Sequence, residues 1–85
     1  MTSHTVEWTQ EAERDLADIY WRAADKPAIT QAQAAIDKQL SNSPTTKGTA
    51  LAEGLRKLTV APLVVFYSVD SARRLVEVSQ VSLAP

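Results

Sequence analysis

The chain has 85 residues, 45% of them hydrophobic, and a formal net charge of −1. That length suits one domain with a small core, and that composition excludes disorder. With no cysteine and a single histidine, His4, the sequence excludes disulfides, thiolate nucleophiles and cysteine-ligated zinc.

Charge is unevenly placed. Residues 1–46 carry four basic and seven acidic side chains, a net of −3; residues 47–85 carry five basic and three acidic, a net of +2. The chain therefore lacks a global field for nucleic acid, although a local basic patch in the second half stays open. No apolar run approaches the roughly 20 residues of a bilayer span. No basic start followed by an apolar stretch marks a secretion signal, so the expected compartment is the cytoplasm and no membrane partner is expected. His4, near the start, reads as a solvated bystander.

From His4 to Trp8, Val6 and Trp8 alternate with Thr5 and Glu7, which predicts a short strand. Thr9 stands at an N-cap position, followed by Glu11 and Glu13 at the positive end of a helix dipole. Ala12, Leu16, Ile19, Tyr20 and Ala23 then recur at helical spacing, predicting a helix to about Ala24. Trp21, beside Ala17, is expected to widen its buried stripe, and Trp8 to join the core. Glu11, Asp15 and Asp18 are expected to be solvated.

Asp25-Lys26-Pro27 breaks the pattern. A second helix is expected from about Pro27 to Leu40, with Ile29, Ala32, Ile36 and Leu40 inward. Its alanines predict a close approach to the first helix, in an αα-hairpin. Ser41 to Pro44 stops it, and Thr45 to Ala52, with Gly48 inside, reads as a loop.

From Gly54 the period becomes two. Leu55–Val60, Leu63–Val69 and Leu75–Leu83 read as three strands. The breaks at Ala61-Pro62 and Asp70 to Arg73 are too short for parallel crossovers, so neighbours are expected antiparallel. The fold class is α+β, in the order β-α-α-β-β-β: a helical hairpin on one face of a mainly antiparallel four-stranded sheet, forming a single domain over residues 1–85.

Several segments together resemble the RelE/ParE toxin superfamily. They are Val6-Glu7-Trp8-Thr9, Gly54-Leu55-Arg56-Lys57-Leu58, Pro62 to Asp70 and the valine-rich run from Arg73 to Val81. No one of these motifs is specific; their order and spacing carry the resemblance over about residues 5 to 83. It implies a RelE-like fold and the toxin component of a type II toxin–antitoxin module, neutralised by a cognate antitoxin. RelE-like members cut messenger RNA on the ribosome without a metal, using basic side chains that stabilise charge on the transferring phosphate. ParE-like members inhibit DNA gyrase. The resemblance thus implies no cofactor and no metal.

The chain departs from the ribonuclease pattern. Lys57 falls on a basic position of the ribonucleases, but their neighbouring basic position falls on Leu55. A further strand arginine falls on Val64 and a C-terminal arginine near Ala84, and a downstream tyrosine position falls beyond Pro85. The resemblance is therefore more ParE-like than RelE-like. The alternatives are a ribosome-dependent endoribonuclease with a reduced basic site, and a degenerate, non-toxic relative.

Lys57 and Arg56 are the candidate catalytic residues. Lys57 also fits a plain solvent-facing strand position, and Arg56 an ion pair with a carboxylate under the helices. Arg73, Arg74 and Lys47 are candidate contacts for a partner or a nucleic acid, though turn arginines are commonly just solvated. Tyr67 is expected in the core with its hydroxyl at the rim. Glu77 reads as a surface residue or an antitoxin contact. The candidate targets are DNA gyrase and the ribosome with its mRNA; the oligomeric state is not legible.

Overall fold

The computed structural model describes residues 3–52 and 54–85. In chain order the elements are β1 (Thr5–Trp8), α1 (Gln10–Arg22), α2 (Lys26–Asn42), β2 (Thr49–Ala52), β3 (Leu55–Val60), β4 (Leu63–Asp70) and β5 (Leu75–Leu83). The strands form one sheet in the order β1-β5-β4-β3-β2. All neighbours are antiparallel except β1 and β5, which run parallel with Thr5 opposite Leu75 and Trp8 opposite Val78. The α+β class, the helical hairpin on one face and the mainly antiparallel sheet are as the sequence predicts.

The sheet has five strands where four were expected. The additional strand, Thr49–Ala52, lies inside the segment read as a loop. It is exposed throughout and contains no alternating apolar pattern, so pairing with β3 makes it a strand rather than local propensity.

Both helices start on side-chain caps: Thr9 as the sequence predicts, and Asp25 within the segment read as a break. The Thr9 hydroxyl accepts the Ala12 N–H at 3.1 Å, and the Asp25 carboxylate accepts the Ala28 N–H at 3.1 Å. α1 stops at Arg22, two residues early, because Ala23 turns to extended backbone. α2 runs on through Ser41 and Asn42. Pro44, not the polar pair, ends it, because a proline disfavours helical backbone at the residue before it.

The core lies between the helices and one face of the sheet. Ala12, Ile29, Ala32, Ile36 and Leu40 meet Leu58, Leu63, Val65, Tyr67, Val76, Val78 and Val81. On β5 the inward residues change parity, from Val76 and Val78 to Val81. The register explains it: Tyr67 faces Val78 while Phe66 faces Gln80, so Ser79 is an extra residue, a β-bulge. The Ser79 hydroxyl donates to the Phe66 carbonyl at 3.3 Å.

β1 covers only the first half of β5. Beyond Val78 the chain turns into α1, and the Asp15 carboxylate accepts the Val81 N–H at 3.2 Å. Asp15, expected to be solvated, thus satisfies a strand edge that lacks a partner strand.

Trp21 is a clear correction. It is 74% exposed and adds nothing to the core. Its ring stands edge-on to Tyr20, with centroids 5.8 Å apart. Lys26 lies over the Tyr20 ring and donates to the Ala23 carbonyl at 3.1 Å, capping the end of α1. Nor do the alanines of α2 close the hairpin along its outer side. A groove runs there between the helices, lined by Leu16, Ala17, Tyr20, Ile29 and Gln33.

Candidate functional site

Alternation along β3 separates the two candidate catalytic residues. Arg56 shares the helix-side phase of Leu58 and stands opposite Tyr67 on β4; Lys57 takes the other face, opposite Phe66. A shared site built from both side chains is not what this geometry provides.

Arg56 holds a loop. Its Nη2 donates to the Lys47 carbonyl at 3.0 Å and its Nε to the Tyr67 hydroxyl at 3.4 Å. The expected carboxylate partner is absent among the described residues, and a backbone carbonyl takes its place. Tyr67 is fully buried, and its oxygen lies 2.9 Å from the Pro44 carbonyl and 2.8 Å from that of Lys47. Its single proton serves those two acceptors while its lone pair receives Arg56. Gly48 completes this hub: at φ +72 a Cβ there would sit 2.3 Å from the Lys57 carbonyl oxygen. Only glycine suits both the backbone angle and the close approach.

Lys57 is half-buried on the sheet face away from the helices, between Thr49 on β2 and Phe66 on β4. The same face carries Val64, whose register partners are Thr59 and Ser82, and Ser68, which pairs with Glu77. Lys57 makes no ion pair among the described residues, where Arg22 with Asp18 is the one pair found.

Arg73 and Arg74 are exposed in the β4–β5 turn. The Asp70 carboxylate accepts the Arg73 N–H at 3.2 Å, and Arg74 adopts φ 52 while its carbonyl accepts the Thr5 N–H at 2.9 Å. The side chain of Lys47 is exposed as well. Arg73 and Arg74 lie at the end of the sheet where β4 ends and β5 begins, whereas Arg56 and Lys57 stand opposite Tyr67 and Phe66 in the middle of β4 and Lys47 precedes β2. The five basic residues of the second half do not share a pocket.

At the helical side, Trp8 is half-buried and its indole donates to the Asp37 carboxylate at 2.7 Å. Val6, Trp8, Glu13, Leu16, Gln33, Asp37, Lys38 and Ser41 line a depression that shares Glu13, Leu16 and Gln33 with the interhelical groove. The two depressions adjoin at that shared wall. From the sequence an antitoxin is expected at the exposed end of the last strand or in the groove beside the helical hairpin; these lining residues were not named there, and Trp21, expected in the core, instead stands exposed at the groove's far end. His4 is half-buried rather than freely solvated, and its Nδ1 has no hydrogen-bond partner. Among the described residues no three His, Asp or Glu side chains gather as a metal site, and no helix is long and apolar enough to cross a membrane.

The profile of the ParE toxin of type II toxin–antitoxin systems, parDE, matches residues 6–82. The chain belongs to the ParE toxin family. Solved structures share the fold. The Mycobacterium tuberculosis RelBE2 toxin–antitoxin complex contains a chain 21% identical, with TM-score 0.82, the match covering 99% of this chain and 94% of that one. A chromosomal ParDE system from Pseudomonas aeruginosa gives 18% identity and TM-score 0.75, over 96% and 97%. The isolated Escherichia coli RelE toxin gives 14% and 0.67, over 96% and 85%. No curated protein matches the sequence. This ParE-family chain is thus similar in fold to both ParE and RelE toxins, and that likeness does not divide the two activities.

Proposed function

We propose that this ParE-family toxin acts by binding a protein target, with DNA gyrase the candidate, and that a cognate antitoxin neutralises it. The observation that carries the reading is the separation of Arg56 from Lys57. Arg56 is committed to the Lys47 carbonyl on the helix side, which leaves Lys57 as the one basic residue on the open face of β3 and β4. A phosphoryl-transfer site needs several positive groups around the developing charge, and the resemblance to the RelE/ParE superfamily implies that Leu55 and Val64 fall where the ribonucleases are basic. The antitoxin reading is supported by the toxin–antitoxin complexes among the structural neighbours. The hairpin groove, with Trp21 exposed beside it, is the surface proposed for that partner.

Induced expression in a bacterial host tests the reading. The expected result is growth arrest with DNA damage and intact mRNA, relieved by co-expression of a cognate antitoxin. The second reading, a ribosome-dependent ribonuclease centred on Lys57, draws on the half-buried, unpaired state of that lysine beside Phe66. Codon-positioned mRNA cuts would establish it. Absence of any arrest would mark a degenerate relative.

A further inference from the structure

We infer that the end of the hairpin groove next to β1 is a cation socket, in which Asp37, aimed by Trp8 and assisted by Glu13, selects a partner helix carrying an arginine or lysine. The inference rests on the antitoxin reading above and names the chemistry by which that surface recognises its occupant.

The groove has the dimensions of a helix site. Its lining on α2 runs from Thr30 to Ser41. At a 1.5 Å rise per residue this is about 16 Å, or three turns of a docked helix. Its walls are apolar where an amphipathic helix would lay its side chains: Leu16, Tyr20, Trp21 and Ile29 toward the interhelical turn, Val6 and Trp8 toward β1.

The charge is at one end. Asp37 and Glu13 both line the half of the groove next to β1. The Trp8 indole holds Oδ1 of Asp37 at 2.7 Å and leaves Oδ2 for another donor. Neither carboxylate forms an ion pair among the described residues. Lys38 lines the same half, but it is exposed and not within ion-pair distance of either. Covering the groove with an apolar helix alone would strip water from Asp37 without compensation, which is costly. A helix that brings a guanidinium or ammonium to that end replaces the lost water with a charge-assisted hydrogen bond. The −3 balance of residues 1–46 draws a basic partner in the same sense.

The test uses the full chain and synthetic 14-residue amphipathic helices with leucines along one face. Each pair differs at one terminal position, arginine in one peptide and its neutral isostere citrulline in the other. One pair carries this position at the N-terminal end and another at the C-terminal end. Intrinsic tryptophan fluorescence, from Trp8 and Trp21 on the groove, reports binding. In one orientation the arginine peptide should bind at least about tenfold tighter. Asp37→Asn, which keeps an acceptor for the Trp8 indole, should reduce that preference below about twofold with an unchanged melting temperature. Glu13→Gln should reduce it in part. Equal affinities, a preference that survives Asp37→Asn, or no binding by any peptide would overturn the inference. So would a dimer of the chain that occupies the groove. The two readings fail separately: an antitoxin that neutralises the wild type and Asp37→Asn equally well removes the socket and keeps the toxin.

Discussion

The Tyr67 hydroxyl sits 2.8 Å from the carbonyl oxygen of Lys47, tying the centre of β4 to a loop 20 residues earlier in the chain. Arg56 donates to the same carbonyl. Through this pair the loop that delivers β2 to the sheet is fastened from the helix side.

Tyr67→Phe should therefore destabilise the fold by about 1–3 kcal/mol, because the ring still fills the core while the Pro44 carbonyl loses its buried donor and the Lys47 carbonyl keeps only Arg56. Urea denaturation measures the loss. Hydrogen exchange should quicken most over residues 44–52, and uniform quickening across the sheet would contradict the assigned role.

The two glycines should differ. Gly48→Ala places a Cβ 2.3 Å from backbone at Lys57, whereas Gly54→Ala, at φ +77, meets nothing within 4 Å. Gly54→Ala should cost about 1–2 kcal/mol from the left-handed backbone alone. Gly48→Ala should cost visibly more in the same thermal melts.

Asp15→Ala removes the acceptor of the Val81 N–H. The expected cost is about 1–2 kcal/mol, with accelerated exchange of the Val81 amide. Asp15→Asn, which keeps a carbonyl acceptor, should recover most of it.

Lys57→Ala separates the two activities. A protein-binding toxin should still arrest growth. A ribonuclease centred on this lysine should lose activity by about 10²–10³-fold. Arrest after induction, with mRNA mapped in parallel, decides between them.

Trp21→Ala should leave stability within about 0.5 kcal/mol, since the side chain is outside the core. Neutralisation by the antitoxin should weaken. A large fall in melting temperature would show that the ring supports the hairpin instead.

Much of the fold was legible where local signals agreed with the tertiary result. Thr9 caps α1 as a short polar residue before a helical pattern does, and Leu55–Val60 and Leu75–Leu83 carry their own boundaries. What escaped depends on long-range pairing. Thr49–Ala52 has no pattern of its own and becomes a strand only against β3. The shift from Val78 to Val81 does lie in the spacing of the valines, but a strict period of two hides it. Trp21 was misplaced because a large apolar residue beside a core stripe reads as core, whereas here it faces outward. The opposite faces of Arg56 and Lys57 were legible in the alternation of β3, but not that the partner of Arg56 is the Lys47 carbonyl, which a distant loop brings to it.

β5 lies between β1 and β4, and Thr5 finds its partner only at Leu75. During synthesis β1 must wait unpaired until β5, about 70 residues later, has left the ribosome. A message cut short, or a protease trimming back from the carboxyl end into β5, would remove the middle of the sheet rather than a margin. A copy that lacks β5 would thereby lose the element that joins the two halves of the sheet.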